Sequence, residues 1–343
     1  MSIPDALPAA RTADAAAAPA LRWGVLGPGW IAERFVRSVQ RHTRQQVIAV
    51  GSRNADRSAG FAAEFGIPGS HGSYAELVAD PAVDVVYVAT PHTAHLAGAR
   101  LALEAGKHVL VEKPLALNAA QAGEIAQLAA GKGLFCMEAL WTLFLPKFDV
   151  IRQILDSGML GEIRTVLADH GEYFTADHRI LRLDLAGGPL LDLGTYPVSF
   201  ANWVLPEATD VRAVGQPHPA GVNGQAAAVL SDPNGNQAVL HTTLFSNTPT
   251  TATVAGTRGT LTLPGPFYQP GDIVVTSAAG DRLTYTEPQT AHDALYFEAA
   301  EVARCIAAGK LESPVRPVAD SIRTLTVMDE IRRQVGAAFP DET

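Results

Sequence analysis

The sequence predicts an α/β protein in which an N-terminal Rossmann-type, doubly wound parallel sheet is followed by an α+β domain with a large, open, mostly antiparallel sheet. Three observations predict this fold class. The chain has 343 residues, more than the roughly 250–300 residues that one hydrophobic core usually holds. In its first part, short apolar runs alternate with helical patterns. In its second part, strand patterns follow one another closely and are joined by turns.

The bulk composition limits the partners and the compartment. A net charge of −9 without a basic cluster excludes a nucleic-acid partner. No stretch approaches the ~20 continuous apolar residues of a membrane span, so we expect a soluble protein that does not bind membranes. Cys136 and Cys305 lie far apart among apolar neighbours, which indicates a reducing, cytoplasmic compartment. His92 and His95 lack further ligands nearby, so we expect no metal site.

The dinucleotide-binding domain is expected over residues 21–145, after a disordered, alanine- and proline-rich tail at residues 1–20 that lacks the features of an export signal. Strands and helices alternate here, as in a parallel sheet with crossover helices. The predicted strands are Arg22–Leu26, Gln46–Val50, Val83–Ala89, His108–Val111 and Leu134–Glu138, and helices are predicted from Trp30 and over His95–Ala105 and Ala119–Ala130.

The second domain, expected over residues 146–343, begins with a helix that runs to Ser157 and a long strand at Glu162–Phe174. Further strands are predicted at Gln225–Leu230, Gln237–Phe245, Thr250–Ala255 and Gly259–Leu263, and helices at Asp293–Ala308 and Ala319–Val335. One face of this sheet has no predicted cover. Because large uncovered faces commonly bind a second subunit, we expect a homodimer or homotetramer that assembles through the sheet.

A glycine-rich turn follows the first strand and opens the first helix, which is the context of a dinucleotide-binding fingerprint. Gly27 permits the tight turn, Gly29 lets the backbone approach a pyrophosphate, and Ala32 allows close helix packing. The helix N-terminus offers free N–H groups to the phosphates. The predicted cofactor contacts of this segment are Gly27, Pro28, Gly29, Trp30 and Ile31.

The end of the second strand indicates which dinucleotide binds. NAD enzymes place an acidic residue there for the ribose, whereas a 2′-phosphate favours arginine. Ser52 and Arg53 stand at this point without a carboxylate, and Arg57 follows shortly after, so the sequence predicts NADP. The alternative is that Arg53 is a solvated loop residue and Asp56 binds the ribose of NAD.

The next two strands also end in polar residues at the edge where doubly wound sheets bind ligands. Thr90, Pro91, His92 and His95 follow the strand at Val83–Ala89 and are predicted to line the cofactor. The two histidines are also alternative proton donors, although a histidine at a helix start is more often structural. Glu112 and Lys113 follow the strand at His108–Val111 and are predicted to bind the cofactor, where Lys113 could orient the nicotinamide ribose and place positive charge beside the substrate oxygen. The alternative is that both are a solvated strand end.

Four motifs together resemble the glucose–fructose oxidoreductase / inositol dehydrogenase (Gfo/Idh/MocA) family. They are G-P-G-W-I-A from Gly27, A-T-P-H-T-A-H from Ala89, G-K-H-V-L-V-E-K-P-L from Gly106 and G-G-P-L-L-D-L-G-T-Y-P from Gly187. The similarity covers the chain beyond the tail and is supported by the segments Met137–Thr142 and Glu312–Pro314. The subgroup resembled is that of dimeric dihydrodiol dehydrogenases and NADP-linked xylose dehydrogenases, although Leu143 stands where this subgroup has arginine.

The resemblance implies that Lys113, Asp192 and Tyr196 are catalytic, and that the Lys113–Pro114 peptide is cis. It implies oxidation or reduction of a sugar, polyol or vicinal diol. A tyrosine has an ordinary pKa of about 10, and a nearby ammonium lowers it. Lys113 could therefore allow Tyr196 to exchange the substrate's hydroxyl proton while Asp192 binds a neighbouring hydroxyl.

Pro197 limits the argument that Asp192 and Tyr196 share one helical face over Leu191–Leu205, because proline fits most easily in a first helical turn. Two other functions stay open. One is a cofactor- or sugar-sensing regulator without activity, and the other is a glycosidase with a bound nicotinamide cofactor.

Overall fold

The computed structural model describes residues 6–287 and 291–339. The chain forms two compact units. The parallel-sheet unit comprises Ala13–Phe144 and Thr290–Ile322, and the open-sheet unit comprises Met1–Thr12, Leu145–Gln289 and Arg323–Thr343. No helix among the described residues is long and apolar enough to cross a membrane.

The parallel-sheet unit contains six parallel strands in the order β3-β2-β1-β4-β5-β6. This order reverses direction between β1 and β4, which makes a topological switch point. The strands are β1 Arg22–Leu26, β2 Gln46–Gly51, β3 Gly69–His71, β4 Val85–Val88, β5 His108–Glu112 and β6 Cys136–Ala139. The helices are α1 Trp30–His42, α2 Ala55–Phe65, α3 Tyr74–Ala79, α4 His95–Glu104 and α5 Ala119–Lys132.

Local sequence explains these elements. Every residue of β4, Val-Val-Tyr-Val, is buried, as expected for a strand covered on both faces. The side chains of Asn54, Ser73 and Asn118 accept backbone N–H bonds at the starts of α2, α3 and α5. Both cysteines are buried as predicted, and burial raises the pKa of each thiol to about 12.

The open-sheet unit contains eight strands in the order β14-β13-β12-β11-β7-β10-β9-β8. They are β7 Ile163–Gly171, β8 Asp210–Pro217, β9 Asn223–Ser231, β10 Gln237–Thr243, β11 Ala252–Gly256, β12 Gly259–Leu263, β13 Ile273–Ser277 and β14 Arg282–Tyr285. The sheet is mostly antiparallel, as predicted, but β7 and β10 pair in parallel. The helices are α6 Pro146–Asp156, α7 Pro189–Asp192 and α8 Thr195–Val204, and α8 packs on β7 and β10.

Two expectations about the chain ends need correction. Helix α9, Tyr296–Ala307, belongs to the parallel-sheet unit and not to the second domain. Helix α10, Val318–Val335, comes next along the chain. The described part of the expected tail is not disordered, because Ala15 and Ala18 pack against small side chains of α9. Arg11 also forms a two-pronged ion pair with Asp149 of α6. Residues 1–5 lie outside the described residues.

The helix predicted over Leu191–Leu205 is two helices, α7 and α8, with a break at Leu193–Gly194. Pro197 cannot donate the i→i−4 hydrogen bond to the Leu193 carbonyl, so a regular helix cannot continue there. Gly194 allows the tight joint, because a Cβ at this position would lie 2.7 Å from the Leu190 carbonyl oxygen. Asp192 and Tyr196 therefore lie on different helices and not on one helical face.

Candidate active site

The first group of predicted residues lies at the carboxyl ends of β1, β4 and β5, which are adjacent strands. Gly27 follows β1 with φ 98°, and a Cβ there would lie 3.0 Å from the Ala89 carbonyl oxygen beyond β4. Gly29 has open space instead, since a Cβ built on it meets no atom within 4 Å. The turn is therefore tight at Gly27 and accessible at Gly29, which suits the close approach of a pyrophosphate.

Trp30 begins α1 and is 55% exposed. Its ring lies edge-on to His292 with 4.9 Å between centroids, and His292 stacks on the buried Trp141 at 5.4 Å. The Arg34 guanidinium lies 5.4 Å from the Trp30 ring. Ile31 is half-buried and Pro28 is buried. The segment at His292, which the sequence did not single out, thus contacts the glycine turn's own tryptophan.

The residues after β2 combine one buried hydroxyl with two exposed arginines. Ser52 is buried and its hydroxyl accepts a bond from the backbone N–H of Asn54, while Arg53 and Arg57 are exposed. Neither arginine has an ion-pair partner among residues 6–287 and 291–339. Asp56, the alternative ribose ligand, is exposed in the first turn of α2.

His95 is fully buried and braces two loops of the parallel-sheet unit. Its Nε2 lies 2.9 Å from the Thr90 carbonyl oxygen and its Nδ1 lies 2.8 Å from that of Pro114. Burial lowers the pKa of His95 to about 4, so the ring is neutral at physiological pH. A fully buried, neutral ring held by backbone positions these loops and is a poor candidate for proton transfer. Pro91 is exposed, and His92 is buried beside His95 with 5.6 Å between ring centroids.

Glu112 and Lys113 follow β5 in different environments. Glu112 is buried, receives a short hydrogen bond from the Tyr87 hydroxyl and accepts one from the backbone N–H of Lys113 at 3.1 Å. Lys113 is half-buried. The Lys113–Pro114 peptide is cis, as the resemblance implied. Glu112 is thus a support for the loop that carries Lys113.

Glu298, in the first turn of α9, is a feature that the sequence analysis missed. It is fully buried, and neither carboxyl oxygen has a hydrogen-bond partner among the described residues. Burial and then the charge of Glu112 raise the pKa of Glu298 well above its ordinary value. Burial and the neighbouring charge of Glu112 therefore both favour the protonated form of the Glu298 carboxyl. A glutamate among apolar helix neighbours was the only sequence signal for it.

A second missed network explains the Met137–Thr142 motif. Glu138 is buried and forms an ion pair of 2.7 Å with Arg316, which is buried too. The same carboxylate accepts bonds from the Ser321 hydroxyl and from the backbone N–H of Leu115. These bonds fix the chain just after Pro114. Leu143 is buried in the short helical turn that follows β6.

In the open-sheet unit, Tyr196 on α8 is nearly buried in a cluster of three rings. Its ring stacks on Tyr268 with a centroid distance of 4.2 Å and an interplanar angle of 21°. Tyr268 stacks in turn on His170 of β7 at 4.8 Å, and His170 lies 5.7 Å from Tyr196. Neither Tyr268, in the turn between β12 and β13, nor His170, in β7, was predicted, because an isolated aromatic residue carries no functional pattern.

Asp192 is not free to act alone. Its carboxylate forms a 2.9 Å ion pair with Arg179 in the loop before α7. The adjacent His178 has a lowered pKa because of burial first and the charge of Arg179 second. Gly188, at φ 114°, and Gly187, where a Cβ would lie 2.5 Å from the Ile180 carbonyl oxygen, let this loop pack against the start of α7. The glycine pair thus accommodates the loop backbone.

The predicted residues therefore fall into two groups. Those from Gly27 to Lys113 belong to the parallel-sheet unit, and Asp192 and Tyr196 belong to the open-sheet unit. Within the first unit, the carboxyl edge of the parallel sheet brings together the glycine turn, Thr90 and Lys113. Within the second, the break between α7 and α8 places Asp192 in the Arg179 ion pair and Tyr196 in the ring cluster.

Two family models match the chain. Residues 21–140 match a model described as an oxidoreductase family with an NAD-binding Rossmann fold, GFO_IDH_MocA. Residues 148–262 match the GFO/IDH/MocA C-terminal domain.

Similar curated proteins include trans-1,2-dihydrobenzene-1,2-diol dehydrogenases. That of Bos taurus is 35% identical over 336 residues and that of Mus musculus 36% identical over 334 residues. Each alignment covers 94% of this chain and 99% of the relative.

Among solved structures, a 3-ketoreductase from Actinomadura kijaniata in complex with NADP and TDP-benzene is 28% identical, with a TM-score of 0.81. The match covers 92% of this chain and 98% of the ketoreductase. That enzyme was also solved with a tyrosine replaced by phenylalanine and with a lysine replaced by alanine. A levoglucosan dehydrogenase in complex with NADH and levoglucosan shares the fold, at 20% identity with a TM-score of 0.84 over 93% of this chain and 98% of the other.

Proposed function

Because this chain belongs to the GFO/IDH/MocA family of oxidoreductases with a nicotinamide-dinucleotide-binding Rossmann domain, we propose that it is an NADP-dependent dehydrogenase or reductase. Its substrate is a hydroxyl-bearing carbon of a sugar, polyol or vicinal diol, or the corresponding carbonyl. The observation that carries the proposal is the meeting of the glycine turn, Thr90 and Lys113 at the carboxyl ends of three adjacent parallel strands.

The cofactor proposal has support at the pyrophosphate and at the adenosine ribose of the dinucleotide. The open space beside Gly29 and the free N–H groups at the start of α1 suit the pyrophosphate. The exposed Arg53 and Arg57 beside Ser52 suit a 2′-phosphate, which arginine binds with paired N–H donors. When bound, the nicotinamide accepts or delivers the hydride.

In this proposal, Lys113 and Tyr196 are the residues that support proton transfer to and from the substrate. Lys113 orients the nicotinamide ribose, and Tyr196 is the acid–base group. In the oxidative direction Tyr196 takes the proton of the substrate hydroxyl, and in the reductive direction it returns that proton to the substrate oxygen. The ketoreductase variants with a replaced lysine or tyrosine concern the same two residue types.

Asp192 and Arg179 bind the part of the substrate next to the reacting carbon in this proposal. The ion pair offers carboxylate acceptors and guanidinium donors together, which suits neighbouring hydroxyl groups. The relatives named for a dihydrobenzene diol act, by that name, on a compound with neighbouring hydroxyl groups, which are the groups that such a pair can bind.

Assembly and location complete the proposal. Leu167 and Val239 pair across β7 and β10 and are exposed on the sheet face opposite α8, so we propose that a second copy of the chain covers this face. Two free, buried thiols suit the cytoplasm.

The test is a panel of aldoses, inositols and vicinal diols, including trans-1,2-dihydrobenzene-1,2-diol, incubated with the full chain and NADP or NAD. We expect reduced nicotinamide to form with at least one panel member, and faster with NADP. Absence of turnover across the panel together with measurable cofactor binding would favour the regulator instead.

A further inference from the structure

Tyr268 lies in the turn between β12 and β13 and packs flat against Tyr196. The ring centroids are 4.2 Å apart, with an angle of 21° between the ring planes. Both residues are 8% exposed, so the stack is almost closed to solvent. The Tyr268 ring also stacks on His170 at 4.8 Å, which limits its own motion. None of the roles assigned above uses Tyr268.

The backbone that leads into Tyr268 is held by hydrogen bonds. The Gln269 N–H donates to the Pro266 carbonyl at 3.1 Å, which makes Phe267 and Tyr268 the central residues of a four-residue turn. The Phe267 N–H donates to the Thr250 carbonyl at 2.9 Å, and Phe267 is fully buried. This side of the turn is therefore fixed to the segment that precedes β11.

The backbone that leaves Tyr268 is held by two buried side chains, Lys147 and Glu287. The Nζ of Lys147 donates to the Gln269 carbonyl. One carboxylate oxygen of Glu287 accepts the backbone N–H of Lys147 at 3.1 Å, and the other accepts that of Gly271 at 3.3 Å. Burial lowers the pKa of Lys147 to about 8, but a neutral amine also carries N–H groups, so the bond to Gln269 does not depend on the charge.

We propose that Tyr268 is a positioning residue for Tyr196, whose phenol it holds in one orientation by the flat ring stack. Lys147 and Glu287 position Tyr268 in turn, because they hold the backbone of its turn. Proton transfer needs the phenol within about 2.6–3.2 Å of the substrate oxygen, and a misplacement of about 1 Å can cost roughly 100-fold in rate. This inference rests on the proposed function, in which Tyr196 exchanges the substrate proton.

The kinetic test replaces the Tyr268 ring in the full chain. Tyr268→Leu removes the flat stack, so we expect its kcat with NADP and a panel substrate to fall about 10- to 100-fold, with nearly unchanged NADP affinity. Tyr268→Phe keeps the ring and should retain most of the natural kcat. An unchanged kcat in Tyr268→Leu would overturn the proposal. An equal loss in Tyr268→Phe would overturn it too, because the hydroxyl and not the stacked ring would then matter.

The test of the turn needs neither substrate nor cofactor. The seven tyrosines of the full chain are replaced by meta-fluorotyrosine, and the fluorine NMR signal of Tyr196 is the one that Tyr196→Phe removes. Tyr268→Leu should shift this signal, because the ring current of the stacked ring is lost. Lys147→Met has no N–H donor on its side chain and should shift the signal in the same direction. Lys310→Met, at an exposed lysine, should leave it unchanged.

Two results of the NMR measurement would contradict the proposal. An unshifted Tyr196 signal in Tyr268→Leu would show that the stack does not form, and one in Lys147→Met would show that Lys147 does not hold the turn. Glu287→Leu removes both acceptor oxygens and should give the same shift, so it tests the turn where Lys147→Met does not fold. Since the fluorine signals need no turnover, they are separate from the proposed function, which fails instead if Tyr196→Phe keeps its turnover.

Discussion

At the scale of single residues, Glu298 is a fully buried carboxyl that has no hydrogen-bond partner among the described residues. A carboxyl without a hydrogen-bond partner is costly to bury and far more costly to bury ionised. Its neighbour Glu112 is already bound by Tyr87 and the Lys113 backbone, so the negative charge resides on Glu112 and the proton on Glu298.

Glu298→Gln is therefore expected to stabilise the protein at neutral pH. The unfolded chain releases the Glu298 proton near the ordinary pKa of 4.5, whereas the folded chain retains it. Folding then binds a proton, and the stability of the natural protein falls as pH rises above this value, by about 1.4 kcal/mol per pH unit for each proton. Glutamine removes this penalty because it cannot ionise.

Thermal melting between pH 4 and pH 8 measures the effect. The variant's melting temperature should exceed that of the natural protein at pH 7 and converge with it at the acidic end. Glu104→Gln, at an exposed position of the same unit, should show no difference at any pH. A variant that is less stable than the natural protein throughout would show that Glu298 is ionised and paired.

Arg53 tests the cofactor at the same scale. Arg53→Asp is expected to weaken NADP binding by at least tenfold and to make NAD the tighter ligand, because a charge-assisted hydrogen bond contributes about 1.5–3 kcal/mol. Titration of both dinucleotides measures the change. Lys132→Asp, an equal charge change at an exposed position on α5, should leave the order intact. Tighter NAD binding by the natural protein would contradict the NADP proposal.

Sequence patterns identified residues only where a motif surrounds them. The glycine turn and the Glu112-Lys113-Pro114 segment stand at strand ends that glycine or proline residues mark in the sequence, so their position at the ends of strands was predictable. Glu298 and His170 lie in an ordinary helix and strand pattern. Glu298 lies near Glu112, and His170 contacts the rings of Tyr196 and Tyr268, partners brought close only by the folded chain, and no local pattern encodes these contacts.

At the scale of elements, the parallel sheet was predictable and the open sheet less so. In the parallel sheet, β1, β4 and β5 are short, largely apolar runs between helical patterns, which is typical of buried parallel strands. In the open sheet, β8, β13 and β14 were not predicted. The parallel pairing of β7 with β10 depends on chain segments far apart in sequence. Pro197 did signal the α7–α8 break, as a residue that has no N–H to donate.

The uncovered face of the open sheet is the element that tests assembly. Leu167 is 46% exposed and pairs with Val239 on the neighbouring strand. If two copies meet here, Leu167→Glu buries a charge in the interface and should give a monomer by analytical ultracentrifugation. Leu311→Glu makes the same change at a leucine that is also 46% exposed but lies in the other unit, and should keep the oligomer. A monomeric natural protein would refute the proposed interface.

At the scale of the whole molecule, the proposed chemistry divides between the two units. The parallel-sheet unit provides the dinucleotide edge and Lys113, and the open-sheet unit provides Tyr196 with its ring cluster and the Asp192–Arg179 pair. The first segment of the parallel-sheet unit ends at Phe144, and α9 returns to that unit near the chain end. This return was not predictable, because an amphipathic helix does not specify which sheet it covers.

The most direct test of the central claim is the turnover of Tyr196→Phe and Lys113→Ala with NADP and whichever panel substrate the natural protein oxidises. Tyr196→Phe should lose about 100- to 10,000-fold in kcat with nearly unchanged NADP affinity, because one acid–base hydroxyl is removed. Lys113→Ala should lose at least as much and also bind NADP more weakly. If Lys113 and Tyr196 contribute to the same proton transfer, the kcat of the double variant should be little lower than that of the slower single variant. Near-natural turnover in Tyr196→Phe would contradict the account and assign the proton transfer to another group.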